Sequence, residues 1–80
     1  MDPKARAEHA KRLLEDQLLV EALDQIEKTA IEAWKATSIA QTDDRERVWH
    51  SLKAAERIRS YLQGIVDNGQ LAARRAMAPR

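Results

Sequence analysis

From Lys4 to Lys35 the chain contains neither glycine nor proline, so nothing in its backbone chemistry forces a break there. Ala, Leu, Glu, Arg and Lys dominate the composition, and these residues favour helix. The preceding "MDPK" is a helix entry: Asp2 can accept a backbone N–H as N-cap. Pro3 suits the first helical position, where its missing N–H would be unpaired anyway. One soft boundary interrupts the stretch, at "LLEDQLL", where Asp16 can cap a second start; a kink or short break is expected near Glu15–Asp16.

Beyond that point Leu19, Leu23, Ile26, Ala30, Ala33 and Thr37 recur at spacings of four and three, one stripe on a helix. Glu21, Asp24, Glu27 and Glu32 fall between them as the wet side. "TSIAQTDD" reads as the interior loop, with Thr42 or Asp43 capping the next helix and Asp43–Glu46 resembling a capping box. Val48, Leu52, Ala55, Ile58, Leu62 and Ile65 then form a second stripe. "DNG" predicts the stop of that helix, with Gly69 as a left-handed residue after the last turn and Leu71 folding back or opening a brief final helix. So short a loop makes the two long helices antiparallel neighbours.

The fold expected is therefore all-α and one domain over residues 1–80. It comprises an N-terminal helical extension (1–15), a helix (16–37), a loop (38–42), a helix (43–68) and a tail (69–80). A chain of 80 residues buries only about 60% of its unfolded surface, and such a core needs support. Cysteine is absent, which removes disulfides and thiolate metal sites. Homo-oligomerisation into a bundle is the remaining route, because two amphipathic helices cannot cover stripes this wide by themselves. The predicted interface anchors are Trp34, Trp49, Leu23, Ile26, Leu52, Ile58 and Leu62.

Chemistry-bearing motifs are not found. His9 and His50 lie on different elements without ligand spacing, and Asp43 and Asp44 are adjacent, so their side chains diverge. Ser38, Ser51 and Ser60 lack a nucleophile elbow, and no glycine loop cradles phosphate. No enzyme activity, cofactor or small-molecule substrate is expected. Trp34 and Trp49 sit at one end of the hairpin, where they are expected to form a hydrophobic cap over the loop with Ile39. The alternative is an exposed anchor pair for a partner. Arg59 is expected to pair with Glu27 or Asp24.

Charge is unevenly spread. Residues 1–14 hold four bases and two acids, residues 70–80 hold three bases and no acid, and the net charge is +1. Lys4, Arg6, Lys11, Arg12, Arg74 and Arg75 are the candidate contacts to phosphate or to an acidic protein surface. Nucleic acid is thus an alternative partner, less favoured than another copy or another protein, because the middle of the chain is acidic. No apolar run reaches the roughly 18 residues of a membrane span, and "MDPKARAEHAKR" carries no apolar leader segment, so neither membrane nor secretion is expected.

Residues 43–72, "DDRERVWHSLKAAERIRSYLQGIVDNGQLA", resemble small helical proteins encoded by tailed phages and prophages, and "LLEDQLLVEALDQIE" is similar as well. The likeness is one of pattern, without a catalytic motif, and carries no functional residue across. It implies a phage setting, in the host cytoplasm or the virion. Together these observations point to a structural or adaptor component of a particle or its assembly. The alternatives are a small nucleic-acid-binding packaging or regulatory factor and an inhibitor docking on a host protein.

Overall fold

A computed structural model of the chain describes residues 2–77. It is all-helical among those residues, with α1 over Pro3–Glu15, α2 over Gln17–Ala36 and α3 over Thr42–Met77. The start of α1 follows from its first residues: the Asp2 carboxylate accepts from the Lys4 and Ala5 amides at 2.7 and 3.2 Å, with Pro3 opening the helix.

Asp16 alone makes the break between α1 and α2. Its backbone is extended (φ −68°, ψ 119°), and its own N–H donates to the Leu13 carbonyl at 3.2 Å, closing α1. Its side chain accepts from the Leu19 amide at 2.9 Å and its carbonyl from the Val20 amide at 3.0 Å, opening α2. One aspartate thus satisfies donors on both sides of the bend.

The connection from α2 to α3 is equally local. Thr37 closes α2, its N–H and its hydroxyl both donating to the Trp34 carbonyl, at 3.0 and 2.7 Å. Ser38 to Gln41 form a turn in which the Gln41 N–H donates to the Ser38 carbonyl at 3.1 Å and the Ser38 N–H to Gln41 Oε1 at 2.8 Å. Gln41, rather than Thr42 or Asp43, stands at the helix entry: its backbone carbonyl accepts from the Arg45 N–H at 3.0 Å and its side-chain Nε2 donates to Asp44 Oδ2 at 3.2 Å. Asp43 and Asp44 lie within the first turn, favourably placed on the positive end of the helix dipole.

The predicted stop at "DNG" is overturned. α3 passes through Asp67, Asn68 and Gly69 without interruption and continues to Met77, so residues 69–77 are helix and not tail. Gly69 does not adopt a left-handed conformation, and Leu71 lies inside the continuous helix. The physical reason is a tertiary contact. Gly69 is buried against α1, where an added Cβ would collide with the Cβ of Ala7 and lie 3.1 Å from the Pro3 carbonyl. The glycine is there for close approach, and the helix flanking it is held by that packing. The last part of the predicted tail, including Arg80, lies outside the described residues.

α1 packs on the C-terminal half of α3 and α2 on its N-terminal half. Contacts descend along α3 as they ascend along the first two helices: Pro3 and Ala7 meet Gly69, Arg6 meets Tyr61, Asp24 and Glu27 meet Arg59, and Trp34 meets Arg45. A helix of 36 residues spans about 54 Å, and the 13 and 20 residues of α1 and α2 in series nearly match it. The molecule measures 61 × 26 × 17 Å. It is a layer two helices wide and about one and a half helices thick, since one helix with its side chains is about 10–12 Å across.

Such a layer has a seam in place of an interior. Its buried residues are Ala10, Leu23, Ala30, Ala55, Val66 and Gly69, mostly small, which lets the helices approach closely. Among the described residues no helix is long and apolar enough to cross a membrane.

Candidate interaction surfaces

The seam divides the apolar residues between two broad faces, and the faces differ in charge. On the first, a groove of about 470 Å³ runs between α2 and α3, lined by Ala22, Ile26, Thr29, Ala33, Val48 and Ser51 among other residues, none of them charged. Ile58 lies seven residues beyond Ser51 and Ile65 seven beyond Ile58, so the same face of α3 continues past the groove. Ile65 and Leu62 then border a second groove with Leu13, Ala10, Arg6 and His9 of α1. Ile26 and Ile58 stand 43% and 44% exposed, although both belong to the apolar stripes.

The opposite face carries the tryptophans, with Lys35, Arg45 and Lys53 beside them. A cavity of about 240 Å³ is lined by Ala30, Ile31, Trp34, Lys35, Val48, Trp49 and Leu52. The Arg45 guanidinium lies 4.1 Å from the centroid of the Trp34 ring, and Lys53 Nζ lies 5.5 Å from that of Trp49. These are cation–π distances, with the Arg45 guanidinium itself lying over the indole. Its Nε is buried without a hydrogen-bond partner among the described residues. Lys53 also pairs with Glu56 at 3.0 Å, whereas Lys35 and Arg45 have no carboxylate partner among the described residues.

Arg59 ties α3 to α2 further along this face. Its Nε donates to Glu27 Oε1 at 2.8 Å and its NH2 group to Asp24 Oδ1 at 2.7 Å, so it pairs with both carboxylates. The hydrogen bond to Glu27 does most to hold the guanidinium pKa above its usual value. Partial desolvation opposes it and the bond to Asp24 adds to it.

The expected hydrophobic cap over the loop does not form. Ile39 is 85% exposed, because the Ser38–Gln41 turn directs it away from the helices. Trp34 and Trp49, 39% and 46% exposed, turn instead toward their cationic neighbours. Leu23, predicted as an interface anchor, is 3% exposed and already packed within the chain, so it has no surface left for a partner. Leu52 and Leu62 are half-buried, and Ile26, Ile58, Trp34 and Trp49 keep accessible surface.

The basic candidates lie along α1 and in the last turns of α3. Lys4 and Arg12 each lie four residues from Glu8, and Lys11 four from Glu15, so acids interleave with bases along α1. Arg6 turns toward α3 and donates to the Tyr61 hydroxyl at 3.0 Å. Arg74 and Arg75 are exposed near the end of α3, with no acid nearer in sequence than Asp67. His50 lies 3.8 Å from Glu46 and edge-on to Trp49, while His9 borders the α1–α3 groove. No group of three or more metal-ligating side chains occurs among the described residues. Beside the bend at Asp16 is an open notch lined by Glu15, Glu21, Asp24 and Lys28 with Leu14, Gln17, Val20 and Gln25.

Comparison with known proteins gives no relative: no family model, no curated protein and no solved structure matches the chain.

Proposed function

We propose that this chain is a non-enzymatic helical assembly component. In this reading it is a helical hairpin with an N-terminal extension, completed into a bundle by further copies of itself, that serves as a structural or adaptor element for another protein. One observation carries the reading. The chain exposes 6540 Å², whereas a compact monomer of 9.1 kDa exposes about 4,900 Å² by the scaling of area with mass. The excess of about 1,600 Å² is roughly twice the share one partner contributes to a standard interface. The radius of gyration agrees, at 17.6 Å against about 12 Å for a compact domain of this length. A layer without an interior leaves large apolar side chains in water, and association removes that cost.

The resemblance of residues 43–72 to phage-encoded helical proteins is what supports a particle or assembly setting for this role. The nucleic-acid alternative rests on Arg74 and Arg75, which have no nearby acid in sequence, and it predicts binding that weakens steeply with salt. Thermal unfolding at protein concentrations spanning a hundredfold range tests the preferred reading. If assembly supplies the missing burial, Tm rises with concentration. A cooperative transition at the same Tm throughout contradicts it.

A further inference from the structure

We propose that a second copy of this chain covers the face that bears Ile26 and Ile58, about a two-fold axis, leaving the tryptophan face open. The proposal rests on the assembly reading above and adds which surface is used and why. Both broad faces expose large apolar side chains, so hydrophobicity alone does not choose between them. Charge does.

A two-fold interface sets each patch against an identical patch, residue i of one copy against j of the other and j against i, so every charge on the patch is carried into the contact twice. On the tryptophan side, Lys35 and Arg45 have no carboxylate partner among the described residues. Two such faces brought together would take these cations out of water with no carboxylate of their own chain to offset the cost. The lining of the Ile26 groove contains no ionisable group, so two copies of it meet without that penalty.

Shape agrees with charge. Ala22, Thr29, Ala33 and Ser51 are small, and they flank Ile26 in a groove of about 470 Å³. A bulky side chain from a partner's helix fits between ridges of this kind. Ile58 provides one: it is 44% exposed and stands near the middle of α3. Stacking two layers on this face yields the usual cross-section of a helical bundle and buries the isoleucines from both sides.

The test compares sedimentation velocity of the whole chain with that of three variants. Ile26→Glu and Ile58→Glu place a charge on the proposed interface. Ile31→Glu is the matched control, on the same helix as Ile26 and similarly exposed at 46%, but lining the tryptophan cavity. The expected result is that the first two fall to the 9.1 kDa monomer mass while Ile31→Glu keeps the wild-type mass. Because a variant that loses its partner can also unfold, Ile58→Glu is then mixed with Ile26→Lys. The opposite charges meet where residue 58 of one copy seats beside residue 26 of the other, and they restore both the assembled mass and the helical signal. An assembled wild type that is unaffected by Ile26→Glu and Ile58→Glu, dissociation by Ile31→Glu, or a mixture that fails to recover overturns this face. A monomeric wild type overturns the assembly reading itself.

Discussion

Gly69 and Ala7 lie in direct contact across the α1–α3 seam, so close that a Cβ on residue 69 has no room. This contact fixes where α1 lies on α3 and keeps α3 helical through a sequence that would otherwise end a helix. Gly69→Ala is expected to destabilise the fold by about 1–3 kcal/mol, the usual cost of forcing extra volume into a packed contact. Adding Ala7→Gly removes the colliding methyl and recovers part of the loss, with the Pro3 carbonyl still close. Urea unfolding of the two single variants and the double variant measures the coupling, and additive losses would contradict the contact.

Gly64 is the opposite case. A Cβ there meets nothing within 4 Å, and the residue lies in the middle of α3. Gly64→Ala should therefore stabilise by up to about 1 kcal/mol through helix propensity alone. The sign separates the two glycines, and a loss of stability at position 64 would mean that a neighbour approaches there after all.

What the sequence disclosed, and what it did not, divides along the same line. Asp2–Pro3 and Asp16 were legible because a cap depends on residues two to four positions away, and the stripes were legible from their spacing. "DNG" was misleading because a terminating glycine and a contact glycine are the same letter. The deciding atom belongs to Ala7, more than sixty residues earlier in the chain. The stripe positions likewise named the apolar surface without saying which part stays uncovered. Leu23 went into the seam and Ile26, one turn on, remained outside, because the layer is only two helices wide. The two faces became distinguishable only when packing set Lys35, Arg45 and Lys53 around the tryptophans.

Asp16 supports both helices at the bend, so its removal should be felt on both. Asp16→Ala is expected to cost about 1 kcal/mol, the usual loss of an N-cap, and Asp16→Asn much less. Amide hydrogen exchange gives the local check: Leu19, whose N–H the Asp16 carboxylate accepts, should exchange faster in the alanine variant.

Arg59 joins α3 to two carboxylates of α2, and its replacement should weaken that union without abolishing the fold. Arg59→Ala is expected to be less destabilising than Gly69→Ala, since its partners Asp24 and Glu27 retain access to water. Arg59→Lys should not fully restore the wild type, because one ammonium cannot reproduce the fork that reaches both acids. Unfolding midpoints in low and high salt check this, with a smaller difference from wild type expected at high salt.

Trp34 and Trp49 report on the face that the proposed two-fold contact would leave open. Acrylamide quenching of their fluorescence should stay nearly constant as protein is concentrated through the assembly transition. A marked fall in quenching on association would mean that the tryptophan face is the one covered.

The claim beneath all of this is that one chain is part of a bundle. Sedimentation equilibrium of the unmodified protein at tens of micromolar tests it most directly. The predicted result is a mass at a whole multiple of 9.1 kDa, with helical content that declines as the sample is diluted below the association range. A single species of 9.1 kDa that stays helical and unfolds cooperatively would contradict it.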